Sequence, residues 1–252
     1  MTEPVTTAAT EDRLLGGRVV LRQPAVGYRA AIDPVLLAAA VPAPNGAGAH
    51  VLDAGCGVGA AALCLAVRRP DCRVVGVELQ PALAALARVN AQATGVADRV
   101  TIIAGDIAST PATLAAASFD HVMANPPFHE AGRHTPPPDA AKALANVERG
   151  TTLGDWIDGC HRLLRPTAWL TLIHRADRID EICARLYPRF GAVEVVPLWP
   201  RQGRPARRVI VRARKGVRSP AAVSSGLVLH ESDGRYTSEA EAILRDGAAL
   251  AV

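Results

Sequence analysis

The sequence predicts an α/β protein in which short buried strands alternate with helices. Four apolar runs of four to six residues each end at a glycine, a carboxylate or a proline, as buried strands do. The first two runs are each followed by a longer apolar pattern typical of a helix. With 252 residues, of which 49% are hydrophobic and 21% charged, the chain can bury a substantial core. The four runs are 51–54, 73–77, 100–104 and 119–124.

Composition narrows the class of protein further. No apolar run reaches about 18 residues, and the first twelve residues are polar and acidic, so we expect neither a membrane span nor a signal peptide and predict a cytoplasmic protein. The five cysteines include no Cys-x-x-Cys pair, which favours free thiols over disulfides or zinc. His129 and His134 lack a third ligand at a recognisable spacing, so no metal is expected. The net charge of +4 permits an acidic partner.

Residues 1–48 are predicted to form an N-terminal extension packed on the main domain. We expect a frayed tail to about Asp12, and then a hairpin whose strands are Arg18–Arg22 and a segment around Tyr28. A helix is predicted to begin at Asp33, which would be its N-cap, with Pro34 in its first turn. Tyr28 and Asp33 fit packing or capping as well as they fit lining a site.

The first buried strand runs into the turn Asp53-Ala54-Gly55-Cys56-Gly57-Val58-Gly59. Glycines at 55 and 57 allow tight turning and let a ligand approach the main chain at a helix N-terminus. The spacing is Gly-x-Gly-x-Gly and differs from the dinucleotide fingerprint Gly-x-Gly-x-x-Gly. Glu78 ends the second strand about 20 residues later, where a carboxylate can accept both ribose hydroxyls of a nucleoside cofactor. A solvated charge at a strand end is the alternative for Glu78.

The third strand ends at Gly105-Asp106. Asp106 could accept a hydrogen bond from an adenine amine while Ile107 packs on the ring; capping of a short helix is the other interpretation of Asp106.

The fourth strand ends at Asn125-Pro126-Pro127-Phe128. Two prolines force the chain out of the strand stiffly, next to an amide oxygen, and Phe128 adds a flat apolar face. Acceptors and an aromatic plane suit a planar group that carries an exocyclic amine. Ligands of open α/β sheets bind beyond the carboxyl ends of the strands, so the four strand ends are predicted to meet at one crevice.

The rest of the chain contains a long loop, 129–150, and a basic run, Arg201–Arg218, with eight basic residues and no acid. Loops of this length are often lids or binding loops. The basic run fits either a solvated strand edge or a footprint for phosphates, and the second interpretation is favoured because the run enters a strand of the sheet. Strands 192–198 and 207–213 are expected to be antiparallel neighbours. Residues 49–215 would form the main domain, and 216–252 a C-terminal extension of unassigned role.

These motifs resemble the class I S-adenosylmethionine-dependent methyltransferases over residues 14–214, and most closely the bacterial tRNA(Val) adenine-N6 methyltransferases. The resemblance is carried by the glycine turn, by Asn125-Pro126-Pro127-Phe128 and by the lead-in 27–37. It implies a Rossmann-like, doubly wound sheet of seven mostly parallel strands, with S-adenosylmethionine as cofactor and RNA, in particular tRNA, as substrate. Phe128 departs from the tyrosine that the tRNA enzymes often carry.

Carried over to this chain, the resemblance assigns each site residue a role. For the cofactor, Asp53, Gly55 and Gly57 would hold the methionine end, Glu78 the ribose, and Asp106 with Ile107 the adenine. Asn125 would also bind the cofactor. For the substrate, Asn125 and the carbonyl group of Pro126 would accept the amine hydrogens, and Phe128 would stack on the base.

Other functions compete with adenine methylation. Methylation of guanine N2 in rRNA or of a protein glutamine would use the same motif, and a non-catalytic RNA-binding module is a further class. A nicotinamide-dependent oxidoreductase is disfavoured by the glycine spacing. The sequence does not name the RNA, the nucleotide or the oligomeric state.

Overall fold

The computed structural model describes residues 9–26, 29–42, 48–109, 111–127 and 151–251, and the backbone of 129–130 and 147–148. Strands are numbered in chain order: β1 Ala9–Leu14, β2 Val19–Pro24, β3 His50–Ala54, β4 Arg73–Glu78, β5 Val100–Ala104, β6 Phe119–Ala124, β7 His129–Glu130, β8 Val147–Glu148, β9 Leu164–Arg175, β10 Phe190–Arg201, β11 Arg208–Lys215, β12 Ala222–Val223 and β13 Leu227–His230.

Most strands form one sheet in the order β10-β11-β9-β6-β3-β4-β5. Strands β5, β4, β3, β6 and β9 are parallel neighbours, whereas β11 runs antiparallel to both β9 and β10. The predicted α/β sheet of seven mostly parallel strands is therefore confirmed, as is the antiparallel pairing of β10 with β11. The short strands β12 and β13 extend this sheet, since both pair with β10.

Helices cover both faces of the sheet, which is the doubly wound arrangement. The helices are α1 Asp33–Ala39, α2 Ala60–Arg68, α3 Pro81–Thr94, α4 Leu153–Leu163, α5 Ile179–Leu186 and α6 Ser238–Glu241. One apolar layer joins α1, α2 and α3 to residues such as Val51 and Val74. The other layer joins α4 and α5 to Leu52 and Ala54, which point to the opposite face of β3 from Val51.

The N-terminal hairpin differs from the expectation. Its strands are β1 and β2, so residues 9–12 belong to a strand and not to a frayed tail, while Tyr28 lies outside the described residues. Leu15-Gly16-Gly17 closes the turn, and the φ angles of 64° and 94° at the two glycines explain why the chain reverses there. The buried amide of Asn90 in α3 accepts from Arg22 N–H and donates to Arg22 C=O, which fixes β2 to the domain.

Asp33 is not the N-cap of α1. Ile32 occupies that position, and the carboxylate of Asp33 pairs with Arg208 at the start of β11 at 3.0 Å. The ion pair ties α1 to the sheet, and this interaction between residues 175 positions apart was not visible in the local sequence pattern.

The C-terminal extension joins the sheet through β13, and α6 follows it. A π-helical turn, Ala242–Asp246, continues α6, and Arg68 of α2 donates to the carbonyl groups of Gly247 and Ala248. Within the described ranges, no helix is long and apolar enough to span a membrane.

Candidate active site

The carboxyl ends of five parallel strands meet along one edge of the sheet. Ala54 of β3 pairs in register with Val77 of β4 and with Ala124 of β6, and Glu78 pairs with Ala104 at the end of β5. The glycine turn, Glu78, Gly105-Asp106 and Asn125 therefore leave the sheet side by side. The convergence that the sequence analysis expected is present in the fold.

The turn after β3 is built from glycines in the left-handed region. Gly55, Gly57 and Gly59 have φ angles of 69°, 57° and 89°, which side chains with a Cβ rarely adopt. The N–H of Cys56 donates to Val77 C=O at 2.9 Å, so the turn stays attached to β4. A Cβ at Gly57 would meet no atom within 4 Å, and the main chain there faces open space.

Gly55 is approached by a side chain of the protein itself. A Cβ at this position would lie 2.2 Å from Cη2 of Trp156, so the indole of α4 packs directly on the turn. Trp156 is not among the site residues predicted from the sequence. It follows the long loop by only six residues, and nothing in its own helix indicates which turn it covers.

Glu78 is almost fully buried and binds the turn. One carboxylate oxygen accepts Gly57 N–H at 2.9 Å and the other accepts Gln80 N–H at 2.8 Å. Burial raises the pKa of Glu78, and these backbone hydrogen bonds oppose the rise. Glu78 is therefore not the solvated charge that was the alternative, and its role toward a ribose stays a prediction.

Asp53 is buried and faces the start of α2. Its carboxylate accepts Ala62 N–H at 3.0 Å, in the first turn of a helix whose dipole favours negative charge. Burial raises the pKa of Asp53 from 3.8 to about 7; the hydrogen bond from Ala62 opposes this rise, and the negative charge of Glu78 adds to it. Contact with the methionine end of a cofactor remains a prediction.

Asp106 accepts Ala108 N–H at 2.9 Å within a turn. The short helix that Asp106 would cap in the alternative interpretation is not formed, since residues 107–109 are a turn. A carboxylate has about four acceptor positions, so this bond leaves room for an adenine amine. Ile107 is buried against α4, where a Cβ at Gly159 would lie 2.4 Å from Ile107 C=O. The proposed adenine contacts of both residues stay predictions.

The motif after β6 begins one residue beyond Ala124. Asn125 is half-buried with its amide oxygen shielded from solvent, Pro126 is buried, and Pro127 is half-buried. Phe128 lies outside the residues whose side chains the structure describes, as does most of the loop 129–150; β7 and β8 form a two-residue parallel pair at its ends.

His174 is a further residue of this edge that the sequence analysis missed. It lies at the end of β9, two residues beyond Leu172, the partner of Ala124, and so stands level with Pro126. Burial lowers its pKa to about 4; the positive charge of Arg178 adds to this, and the nearby carbonyl group of Pro127 opposes it. A neutral imidazole thus lies beside the turn that holds Asn125.

The basic run divides between two edges of the sheet. Because β11 is antiparallel, Arg201–Arg208 lie at the site edge, whereas Arg214, Lys215 and Arg218 lie at or toward the opposite edge. Arg212 pairs with Glu194, and Lys215 donates to the carbonyl groups of His161 and Leu164. Only the first part of the run is placed to approach a substrate at this edge.

The donors and acceptors of this edge fit S-adenosylmethionine. The open main chain at Gly57 leaves a cradle beside two buried carboxylates, which suits a cationic ligand with ribose hydroxyls. Ile107 at the same edge is buried in the apolar layer that packs against α4. No group of three or more potential metal ligands occurs among the described residues.

Comparison with known proteins gives the class. Residues 51–154 match a methyltransferase domain family. The structure resembles a predicted O-methyltransferase from Agrobacterium tumefaciens, with 27% identity, a TM-score of 0.72, and coverage of 87% of this chain and 99% of that protein. The sheet order, the glycine turn and these matches define an S-adenosylmethionine-dependent methyltransferase.

Curated relatives give the family. The chain is 36% identical over 207 residues to an Aeromonas hydrophila tRNA1(Val) (adenine(37)-N6)-methyltransferase, covering 81% of this chain and 84% of the relative. A Porphyromonas gingivalis protein of the same description is 33% identical over 204 residues, with coverage of 75% and 76%. The chain belongs to the tRNA1(Val) (adenine(37)-N6)-methyltransferase family.

Proposed function

We propose that this enzyme methylates the exocyclic N6 of an adenine in tRNA, and that the adenine lies in the anticodon loop of a valine tRNA. The observation that carries the proposal is the position of Asn125 and Pro126, which leave β6 beside the glycine turn of β3. Relatives described as tRNA1(Val) (adenine(37)-N6)-methyltransferases, matched over most of their length, support the same substrate.

Asn125 and Pro126 supply the two acceptors that this reaction needs. The lone pair of an aromatic amine is delocalised into its ring, which makes the nitrogen a poor nucleophile. The amide oxygen of Asn125 and the carbonyl group of Pro126 accept hydrogen bonds from the two N–H groups of the amine. These bonds favour a pyramidal nitrogen whose lone pair is available. S-adenosylmethionine supplies a methyl group already activated by a sulfonium, so this chain's residues need only align and polarise the amine.

Rigidity is the second contribution of the motif. Two prolines fix their own φ angles and restrict the residue before each, and the His174 imidazole contacts the Pro127 carbonyl from β9. The acceptors are therefore held before the base arrives. Phe128 would stack on the base, which is least costly to unstack from a loop.

Nucleoside mass spectrometry tests the proposal. Purified enzyme, S-adenosylmethionine and an unmodified valine tRNA transcript should yield N6-methyladenosine, and an Asn125→Ala variant should yield far less. A strain lacking the protein should lose the same nucleoside from its tRNA. Methylation of guanine N2, of ribose 2′-oxygen or of a protein glutamine in place of adenine N6 would refute it.

A further inference from the structure

The tip of the β10–β11 hairpin, residues 201–207, projects from the edge of the sheet that carries Asn125. Leu198 of β10 and Arg208 of β11 are the last residues in register between these two strands before the tip. Arg208 is also in register with Arg175 of β9. In the order β6-β9-β11-β10, three strand spacings separate β6 from β10, or roughly 14 Å. The hairpin tip therefore lies beside the site, within the reach of nucleotides that flank a bound base.

The charge of the hairpin tip is positive and directed to solvent. Arg201, Arg204 and Arg207 are exposed, and the segment contains no acid. Hydrogen bonds from Arg235 lower the pKa of Asp233, and the positive charge of Arg201 adds a smaller contribution, so a carboxylate partly offsets the charge of Arg201. Among the described residues, no carboxylate lies within ion-pair distance of Arg204 or Arg207.

The hairpin tip is also held rigidly. Arg204 N–H donates to Arg201 C=O at 3.1 Å across a tight turn with Gly203 at a φ of 71°. At its base, the ion pair of Arg208 with Asp33 fixes the hairpin to α1. Guanidinium groups on a fixed turn lose less conformational freedom on binding than the same groups on a mobile loop.

We propose that the hairpin tip binds RNA phosphates next to the nucleotide whose base enters the site, with Arg204 and Arg207 as the principal contacts. A planar guanidinium matches two phosphate oxygens, and arginine is suited to this contact. The inference rests on the proposed function, since it takes RNA as the substrate. It assigns the docking surface, which neither the fold nor the family description provides.

The opposite edge of the sheet offers a matched control. Arg218 belongs to the same basic run but follows β11, and Arg73 begins β4; both are exposed. Removing two positive charges at Arg73 and Arg218 changes the net charge as much as removing them at Arg204 and Arg207.

The experiment compares Arg204→Gln/Arg207→Gln with Arg73→Gln/Arg218→Gln by fluorescence anisotropy on a valine tRNA transcript from about 50 to about 200 mM salt. The hairpin variant should bind roughly tenfold more weakly and flatten the log–log salt slope by about 1.5, since each lost phosphate contact removes about 0.7–0.9. The control variant should have the RNA affinity and salt slope of the wild type. Calorimetry should give the same S-adenosylmethionine affinity for the wild type and both variants.

Three results would overturn the proposal: an unchanged slope in the hairpin variant, equal weakening of both variants, or displacement of RNA by polyglutamate at equal charge concentration. The last would indicate a general anion surface or an acidic protein partner. If only the hairpin variant loses RNA affinity but the wild type forms no N6-methyladenosine, the proposed function is wrong and the proposed RNA-binding surface is supported. If the wild type forms N6-methyladenosine but the hairpin and control variants bind RNA equally well, only the proposed RNA-binding surface is wrong.

Discussion

The carboxylate of Glu78 accepts Gly57 N–H at 2.9 Å, which joins the end of β4 to the glycine turn after β3. Its other oxygen accepts Gln80 N–H, so the side chain both shapes the turn and keeps acceptor positions for a ligand. A ribose bound here would find the carboxylate already oriented by the backbone.

Glu78→Ala is expected to weaken S-adenosylmethionine binding by about 1–3 kcal/mol, the range for a lost hydrogen bond to a charged group. Because Gly57 and Gln80 also lose their acceptor, the free protein should unfold at a lower temperature. Calorimetry and thermal unfolding measure the two effects, with the exposed Asp98 as the site of a control substitution to alanine. An unchanged affinity for Glu78→Ala would remove the ribose assignment.

Gly55→Ala should mainly reduce stability, whereas Gly57→Ala should mainly weaken cofactor binding. Both place a Cβ at positive φ, which costs about 1–2 kcal/mol. At Gly55 the new atom also meets the Trp156 ring at 2.2 Å, so this variant should be the less stable of the two. At Gly57 the Cβ meets no protein atom within 4 Å and enters the proposed cofactor cradle instead.

Chemical denaturation and cofactor titration separate these outcomes. Gly57→Ala should fold with a modest loss of stability yet bind S-adenosylmethionine at least tenfold more weakly, whereas Gly55→Ala should show the larger drop in the free energy of unfolding. Normal cofactor affinity in Gly57→Ala would mean that the cofactor does not approach the main chain at this residue.

Asp53 should make the free energy of unfolding depend on pH. Its pKa is raised from 3.8 to about 7 in the fold. Between these values the unfolded chain has lost the proton and the folded chain retains it, so stability falls as pH rises through this window. The contribution is fully present below about pH 4 and is lost above about pH 7.

Denaturation of wild type and Asp53→Asn between pH 5 and pH 8 checks this sign, because asparagine keeps an acceptor for Ala62 N–H without titrating. As pH rises toward 7, the free energy of unfolding of the wild type should fall by up to about 1.4 kcal/mol per pH unit relative to that of the variant. Parallel curves would show that Asp53 titrates normally. If a cationic cofactor binds beside Asp53, wild type should also release a proton on binding near pH 7, and Asp53→Asn should not.

Much of this fold could be predicted because each buried strand ends at a residue that interrupts strands, such as glycine or proline. The helices could be recognised by the helical spacing of their apolar residues. The strand ends at Asp53, Glu78 and Asn125 needed only the rule that parallel strands end at one edge. The N-terminal hairpin was misplaced because its first strand, Ala9–Leu14, carries polar and charged residues and little apolar pattern.

The missed parts of the site depend on contacts between distant segments. Trp156 reaches Gly55 across about a hundred residues, and the Asp33–Arg208 pair joins α1 to β11. The division of the basic run between two edges follows from the direction of β11. Its antiparallel pairing with β10 was expected from the sequence, but its pairing with β9, which fixes the edge where each arginine lies, was not. Tertiary pairing, not propensity, decides which of these side chains faces the substrate.

The amide oxygen of Asn125 and the neighbouring Pro126 carbonyl group are proposed to hold the target amine. Their hydrogen bonds strengthen as the nitrogen becomes pyramidal, so removing one acts on the transition state more than on the bound substrate. Asn125→Ala should therefore slow methyl transfer about a hundredfold or more while RNA affinity changes little. Single-turnover rates at saturating RNA measure the first quantity, and anisotropy measures the second.

Phe128→Ala provides the contrast, because stacking holds the base before chemistry and its loss should weaken RNA binding by roughly 1–3 kcal/mol. Asn125→Asp is the finer test: it keeps an acceptor but adds a negative charge near the proposed cofactor site and removes a donor, so an intermediate rate is expected. Unfolding measurements on each variant exclude a general loss of structure. A wild-type transfer rate for Asn125→Ala at saturating RNA would mean that the motif only terminates β6, and the assignment of the acceptors would be wrong.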